Sequence, residues 1–145
     1  MAAPSDAVRL FFDDYAKATA LPDLTFFASA YADTFMFASP SGTQTVRLDD
    51  FLRVLPKRHE LFTAAGLKSS VVESLEETVL DGHYVLVEAR WSMMFVKPSE
   101  RPLMIDSAAT YVLRREQRSM WIVFQLDHQD LTARIRDAGL LPAAT

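Results

Sequence analysis

The stretch FQLDHQD, residues 124–130, holds the most suggestive polar side chains of the chain. A strand sends alternate side chains to opposite faces, so Gln125 and Asp127 share one side while Phe124, Leu126 and His128 share the other. Asp127 and His128 therefore cannot act as an adjacent dyad on a regular strand. Asp127 lies near a strand end, where a carboxylate can pair with an arginine at the rim. Tyr15 falls on an apolar helical stripe, where it can donate a hydrogen bond into a pocket or pack with its hydroxyl satisfied; packing is the favoured reading. Ser39 sits in YADTFMFASPSG, residues 31–42, where it could hold a ligand, but a serine ahead of Pro40 and Gly42 is ordinary turn chemistry. In the same stretch Phe35 and Phe37 lie on one face of a short strand, suited to the wall of a pocket mouth. Trp91 reads as core or pocket wall. Trp121, at a strand start, reads as a staple between sheet and helices.

Other chemistries find no support. His59, His83 and His128 show no paired ligand spacing, so no metal is expected. The chain has no cysteine, hence no thiolate nucleophile and no disulfide, which suits a reducing compartment. Its four glycines all read as punctuation of turns and helix ends, and no phosphate-binding, dinucleotide or nucleophile-elbow fingerprint is present; no cofactor is expected. Lys and Arg number 15 against 19 Asp and Glu, a net charge of −4 without a basic block, which argues against nucleic acid as a partner. No apolar run approaches the ~20 residues of a membrane span, and MAAPSDAVRL lacks the build of a secretion signal. A soluble, cytoplasmic protein of one domain, residues 1–145, is the expectation.

The elements that must position these residues follow from periodicity. Ser5 caps a first helix bearing Val8, Phe11, Phe12, Tyr15 and Thr19 on one face, ended by Leu21 and Pro22. Asp23 caps a second, with Leu24, Phe27, Ala28 and Tyr31 in a stripe, and the chain then runs extended from Phe35 to Ala38. Asp49 and Asp50 open a third helix whose face carries Leu52, Leu55, His59 and Phe62, with a kink or break expected at Pro56. From Leu67 onward the pattern is that of strands. Asp81-Gly82 predicts a two-residue hairpin with Gly82 at positive φ, which would set Val72 opposite Trp91 and Glu73 opposite Arg90. Val85, Val87, Ala89, Trp91, Met93 and Phe95 then form an apolar face toward the helices. Further turns at 97–102 and 116–119 give strands near 103–115 and 120–129, and DLTARIRDAGL forms a short C-terminal helix.

This order of elements, with YADTFMFASPSG after the second helix and YVLRREQRSMWIVFQLDHQDL near the end, resembles the nuclear transport factor 2-like superfamily over roughly residues 5–130. The resemblance implies an α+β cystatin-like cone: three N-terminal helices on a curved antiparallel sheet, a short C-terminal helix, and an apolar pocket between the layers. Members include SnoaL-like cyclases, ketosteroid isomerases and non-catalytic binding domains. In the isomerase pattern Tyr15 takes the helix-one tyrosine position, at a separation from Tyr31 that fits. Ser39 occupies the place of the carboxylate base, and Thr110 corresponds to the second acid. A serine cannot abstract a proton from carbon as a carboxylate does. By the resemblance, Gln125 and Asp127 look into the cone, and Asp127 becomes the candidate base with Tyr15 as hydrogen-bond donor. Ligand contacts are expected from Phe35, Phe37, Ser39, Trp91, Thr110 and Gln125. The ligand expected is a small apolar molecule, and the chemistry, where there is any, acid–base isomerisation or cyclisation. The alternative is a non-catalytic interaction module. Tyr84, Leu86, Ile122, Phe124 and Leu126 on the outer sheet face would expose too much apolar surface in a monomer, which points to a homodimer through that face.

Overall fold

The computed structural model describes residues 3–141, so the outermost positions of the expected span 1–145 lie outside the described residues. Helix α1 (Asp6–Ala20) starts at Ser5, whose Oγ accepts a hydrogen bond from the Val8 amide at 3.3 Å. Ser5 is also fastened to the sheet. The buried carboxylate of Glu77 accepts from its amide at 3.1 Å and from its hydroxyl at 2.9 Å. Val8 and Phe12 are fully buried along the predicted stripe. Helix α2 (Leu24–Ala30) is capped by Asp23, which accepts from the Phe26 amide at 3.2 Å. It stops one residue before Tyr31, which is already extended and opens strand β1 (Tyr31–Ser39).

Strand β2 (Gly42–Arg47) completes a hairpin with β1. No strand was read there, because its residues are almost all exposed and carry no apolar alternation. Helix α3 (Leu48–Ala64) begins with Asp49 and Asp50 in its first turn and continues through Pro56 as one element of 17 residues. The expected break is absent: one missing amide removes a single hydrogen bond, and the flanking turns hold the helix together.

Strands β3 (Leu67–Val79), β4 (Tyr84–Phe95), β5 (Leu103–Glu116) and β6 (Ser119–Asp127) form the expected meander, followed by helix α4 (Leu131–Asp137). The six-stranded sheet has the order β2-β1-β6-β5-β4-β3. It is mixed rather than wholly antiparallel, because β1 runs parallel to β6. Strand β1 arrives from the helical layer and not through a hairpin, so its direction need not reverse.

The β3–β4 register departs from the two-residue turn. Near the turn Val79 pairs with Val85 and Leu75 with Ala89, one step from the predicted pairing, and Gly82 does not use positive φ. Asp81 organises the turn instead, accepting from the amides of His83 and Tyr84 at 2.7 and 2.9 Å. Ser74 rather than Glu73 faces Arg90; Glu73 is an extra residue that restores the predicted pairing of Val72 with Trp91. A second irregularity lies in β6, where Val112 pairs with Phe124 but Leu113 with Ile122. Val123 is the extra residue, and it turns Ile122 inward to complete burial instead of leaving it on the outer face. That outer face carries Leu86, Val112, Phe124 and Leu126, each half-buried.

Helices α1–α3 cover the inner face, where Val85, Val87, Ala89 and Trp91 enter one core with Phe12, Phe27 and Tyr31. Ile135 of α4 and Leu140 pack on Phe62, Met93 and Phe95 at the other end of the sheet. Trp121 is half-buried opposite Arg114, on the outer face rather than stapling the helices. No helix among the described residues is long and apolar enough to cross a membrane.

Gly66 and Gly82 provide a paired test of this backbone. Gly66 has φ +99°, and a Cβ there would stand 2.5 Å from the Val96 carbonyl oxygen, whereas a Cβ at Gly82 meets nothing within 4 Å. Gly66→Ala is expected to cost about 2 kcal/mol or more in urea unfolding, from a strained φ plus a clash with backbone. Gly82→Ala should stay within about 0.5 kcal/mol of wild type.

Candidate functional site

Between the helices and the inner face of the sheet lies a cavity of about 170 Å³. Each layer contributes to its wall: Tyr15 from α1, Phe27 from α2, Tyr31 and Phe37 from β1, and Trp91 from β4. Helix α3 adds Phe51, Leu55 and Arg58; β5 and β6 add Tyr111, Gln125 and Asp127. The aromatic rings brace one another. Tyr15 stands 5.2 Å from Phe27, 5.5 Å from Trp91 and 6.1 Å from Tyr111, centroid to centroid. Edge-to-face and tilted contacts of this kind add rigidity beyond the area they bury.

The polar groups are strung into one chain. Gln125 donates from Nε2 to Asp127 Oδ1 at 2.9 Å, and its Oε1 accepts from the Tyr31 hydroxyl at 2.5 Å. An amide oxygen can only accept, so the Tyr31 proton is directed to Gln125. The 2.7 Å bond between the Tyr15 and Tyr31 hydroxyls must then be donated by Tyr15. The hydroxyl hydrogens of both tyrosines are thereby committed toward β6, and Tyr15 is left with acceptor capacity toward the cavity.

Burial dominates the electrostatics. It pushes the Tyr15 hydroxyl up to about 12 and those of Tyr31 and Tyr111 well above the ordinary tyrosine value, keeping all three neutral. It also raises the carboxyl of Asp127, with the hydrogen bond from Gln125 and the charges of Arg58 and His128 opposing. A carboxylate raised in this way is a stronger base than one on the surface, and it stands beside an apolar, ring-walled space.

Of the residues singled out in the sequence, Tyr15, Phe37, Trp91, Gln125 and Asp127 are brought together on this cavity. Three are not. Thr110 points to the outer face, across from Glu88 and Leu126, and its hydroxyl meets His128 Nε2 at 2.7 Å. Its neighbours Ala109 and Tyr111 take the inner positions, so the side chain at position 110 does not line the cavity. Ser39 lies at the β1–β2 hairpin, where its Oγ accepts from the Ser41 amide at 3.2 Å. Phe35 is buried behind the wall, packed on Tyr31 at 4.6 Å and Phe51 at 5.3 Å.

Sequence reasoning missed Tyr111 and the α3 residues Phe51 and Arg58. Phe51, Leu55, Arg58 and Phe62 are spaced 4, 3 and 4 apart, a helical stripe as regular as the one read from Leu52 and His59. Tyr31, noted for its spacing from Tyr15, proves to be the central link of the polar chain. Among the described residues no group of His, Cys, Asp and Glu is arranged to hold a metal ion.

The loss of stability caused by ionised Asp127 is measurable. Its folded-state pKa lies above the ordinary 3.8, so between those two values the folded protein binds more protons than the unfolded chain and stability falls as pH rises. Asp127→Asn keeps an oxygen for Gln125 and removes the buried charge. It is expected to raise Tm by a few degrees at pH 7, with the gain shrinking as pH falls through the folded-state pKa and absent below 3.8. Thermal scans by circular dichroism across pH provide the check.

The geometry can be set beside known proteins. A family model described as NTF2-like protein (DUF6841) matches residues 5–130. Among curated proteins none matches the sequence. Solved structures share the fold: an NTF2-like protein with a cystatin-like fold from Novosphingobium aromaticivorans superposes with a TM-score of 0.71 at 15% identity, covering 95% of this chain and 88% of its own. An NTF2-like protein from Cytophaga hutchinsonii gives 0.66 at 14% identity, covering 86% and 96%. One from Shewanella oneidensis gives 0.64 at 16% identity, covering 86% and 98%. At such identities the likeness is one of fold alone.

Proposed function

Because the chain belongs to the NTF2-like protein family (DUF6841), we propose that it uses the cavity between helices and sheet to bind a small, largely apolar molecule and to move a proton on it. The observation that carries this reading is the chain Tyr15–Tyr31–Gln125–Asp127, which ends in a carboxylate raised by burial on the wall of an aromatic cavity. Ser39, in the place of the isomerase base, is outside the cavity, so proton abstraction falls to Asp127.

In the proposed reaction Asp127 takes a proton from carbon next to a carbonyl, and the electron pair moves onto the carbonyl oxygen as an enolate. For isomerisation Asp127 returns the proton to a different carbon; for cyclisation the enolate carbon attacks an electrophile in the same molecule. Tyr15 assists by turning its hydroxyl from Tyr31 to the developing oxyanion, which is more basic than a phenol oxygen and competes for that proton. Such a hydrogen bond is strongest where charge develops, which lowers the barrier rather than only the binding energy.

Proton abstraction can be tested without the natural substrate. Small cyclic ketones incubated with the protein in deuterium oxide should exchange their α-protons, followed by NMR, and Asp127→Asn should slow that exchange by about 10²–10⁴-fold. Exchange unaffected by Asp127→Asn would remove the catalytic reading and leave a binding domain.

The second proposal concerns assembly. The half-buried side chains of Leu86, Val112, Phe124 and Leu126 form an apolar strip on the outer face of the sheet, and we propose that two copies pair across it. Light scattering at micromolar concentration should report a dimer, and Phe124→Glu should give a folded monomer. A wild-type monomer at that concentration would end this proposal.

A further inference from the structure

The cavity lining includes one arginine, Arg58, which is exposed on α3 and acts on Asp127 by its charge without forming an ion pair with it. Arg58 projects from α3 into the lining, and its guanidinium lies 4.8 Å above the ring of Phe62, itself buried and part of the same wall. Cation–π stacking occupies the flat face of a guanidinium and leaves its edge N–H groups pointing outward, the arrangement that receives a carboxylate in two parallel hydrogen bonds. Among the described residues those N–H groups make no hydrogen bond, and the ion pairs present, Arg53–Asp50 and Arg114–Glu116, lie elsewhere. Asp127, the acid on the cavity wall, is on β6 and makes no ion pair with Arg58.

We propose that the ligand is a small ring-sized acid whose carboxylate seats on Arg58, with its apolar body among Phe27, Phe51 and Trp91 and its opposite end toward Tyr15 and Asp127. Two observations set the class. A cavity of about 170 Å³ is close to the ~150 Å³ that accommodates one benzene ring in an engineered protein cavity, so the body is a single ring or its equivalent. The walls are largely aromatic and aliphatic, and Arg58 is the one arginine or lysine in the lining. The two charges at separate walls also fix the direction of binding, since an acid placed the other way would meet Asp127. The polar end is held at α3, and the carbon presented to Asp127 is the one remote from the carboxylate.

This inference rests on the cavity being a ligand site, and the experiment separates the two. Titration calorimetry with benzoate, benzamide and toluene is run on the wild type, Arg58→Gln and Leu55→Trp, the last designed to fill the cavity. Benzoate should bind the wild type about tenfold or more tighter than benzamide, and Arg58→Gln should remove that preference while leaving toluene unchanged. Leu55→Trp should abolish binding of all three. Equal affinity for benzoate and benzamide, or a preference that survives Arg58→Gln, would overturn the acid assignment while the ligand site stands. Absence of binding by every probe, or binding unaffected by Leu55→Trp, would overturn the site itself and the acid assignment with it.

Discussion

The hydrogen bond from Tyr31 to Gln125 spans 94 residues of sequence and joins the helical half of the chain to the last strand of the meander. Tyr31 stands where α2 ends and β1 begins, so the bond fixes the point at which the chain leaves the helical layer and enters the sheet. Tyr31 also pairs by its backbone with Ile122, and its ring packs on Phe35 and Phe51. A buried phenol without a partner would cost on the order of 1–3 kcal/mol, which makes the correct docking of β1 against β6 the arrangement that satisfies it. The parallel β1–β6 pairing, the placement of Tyr15 and the orientation of Asp127 all depend on this one link.

The site depends equally on an irregularity. Had β6 alternated without interruption, Ile122 would share the outer face with Phe124 and Leu126. The extra residue at Val123 lets Ile122 fill the core between the sheet and the helices, while Gln125 and Asp127, three and five residues on, also face inward. The strand thus changes from an apolar to a polar inner face just where the cavity begins. A bulge beside a site re-aims side chains in this way at little cost to the ladder.

What could be read from the sequence follows from how local the governing physics is. The α1 stripe, the caps at Ser5 and Asp23, the turns near 97–102 and 116–119 and the apolar face of β4 depend on neighbours within a few residues, and all are found. The β1–β6 pairing and the bulges at Glu73 and Val123 are set by contacts distant in sequence, and the bulge at Val123 reverses the face of Ile122 relative to the residues that follow it. Thr110, expected by the resemblance to contact a ligand, stands on the outer face of β5, and its neighbour Tyr111 lines the cavity. On α3 the two candidate stripes share Leu55 and Phe62. The rings of Phe27, Tyr31 and Phe35 pack on Phe51, which brings Arg58 into the cavity lining alongside His59.

Pro56 gives that wall a mechanical character of its own. Without an amide hydrogen it leaves the Leu52 carbonyl unbonded within α3, between the turn that carries Phe51 and the turn that carries Arg58. Helix α3 therefore lacks one rung of its hydrogen-bond ladder near mid-span. One half is anchored by aromatic contacts to β1 and the other by Phe62 to the α4 end of the sheet. Any adjustment of α3 at that point shifts the Phe51 side of the wall against the Arg58 side while both ends stay packed.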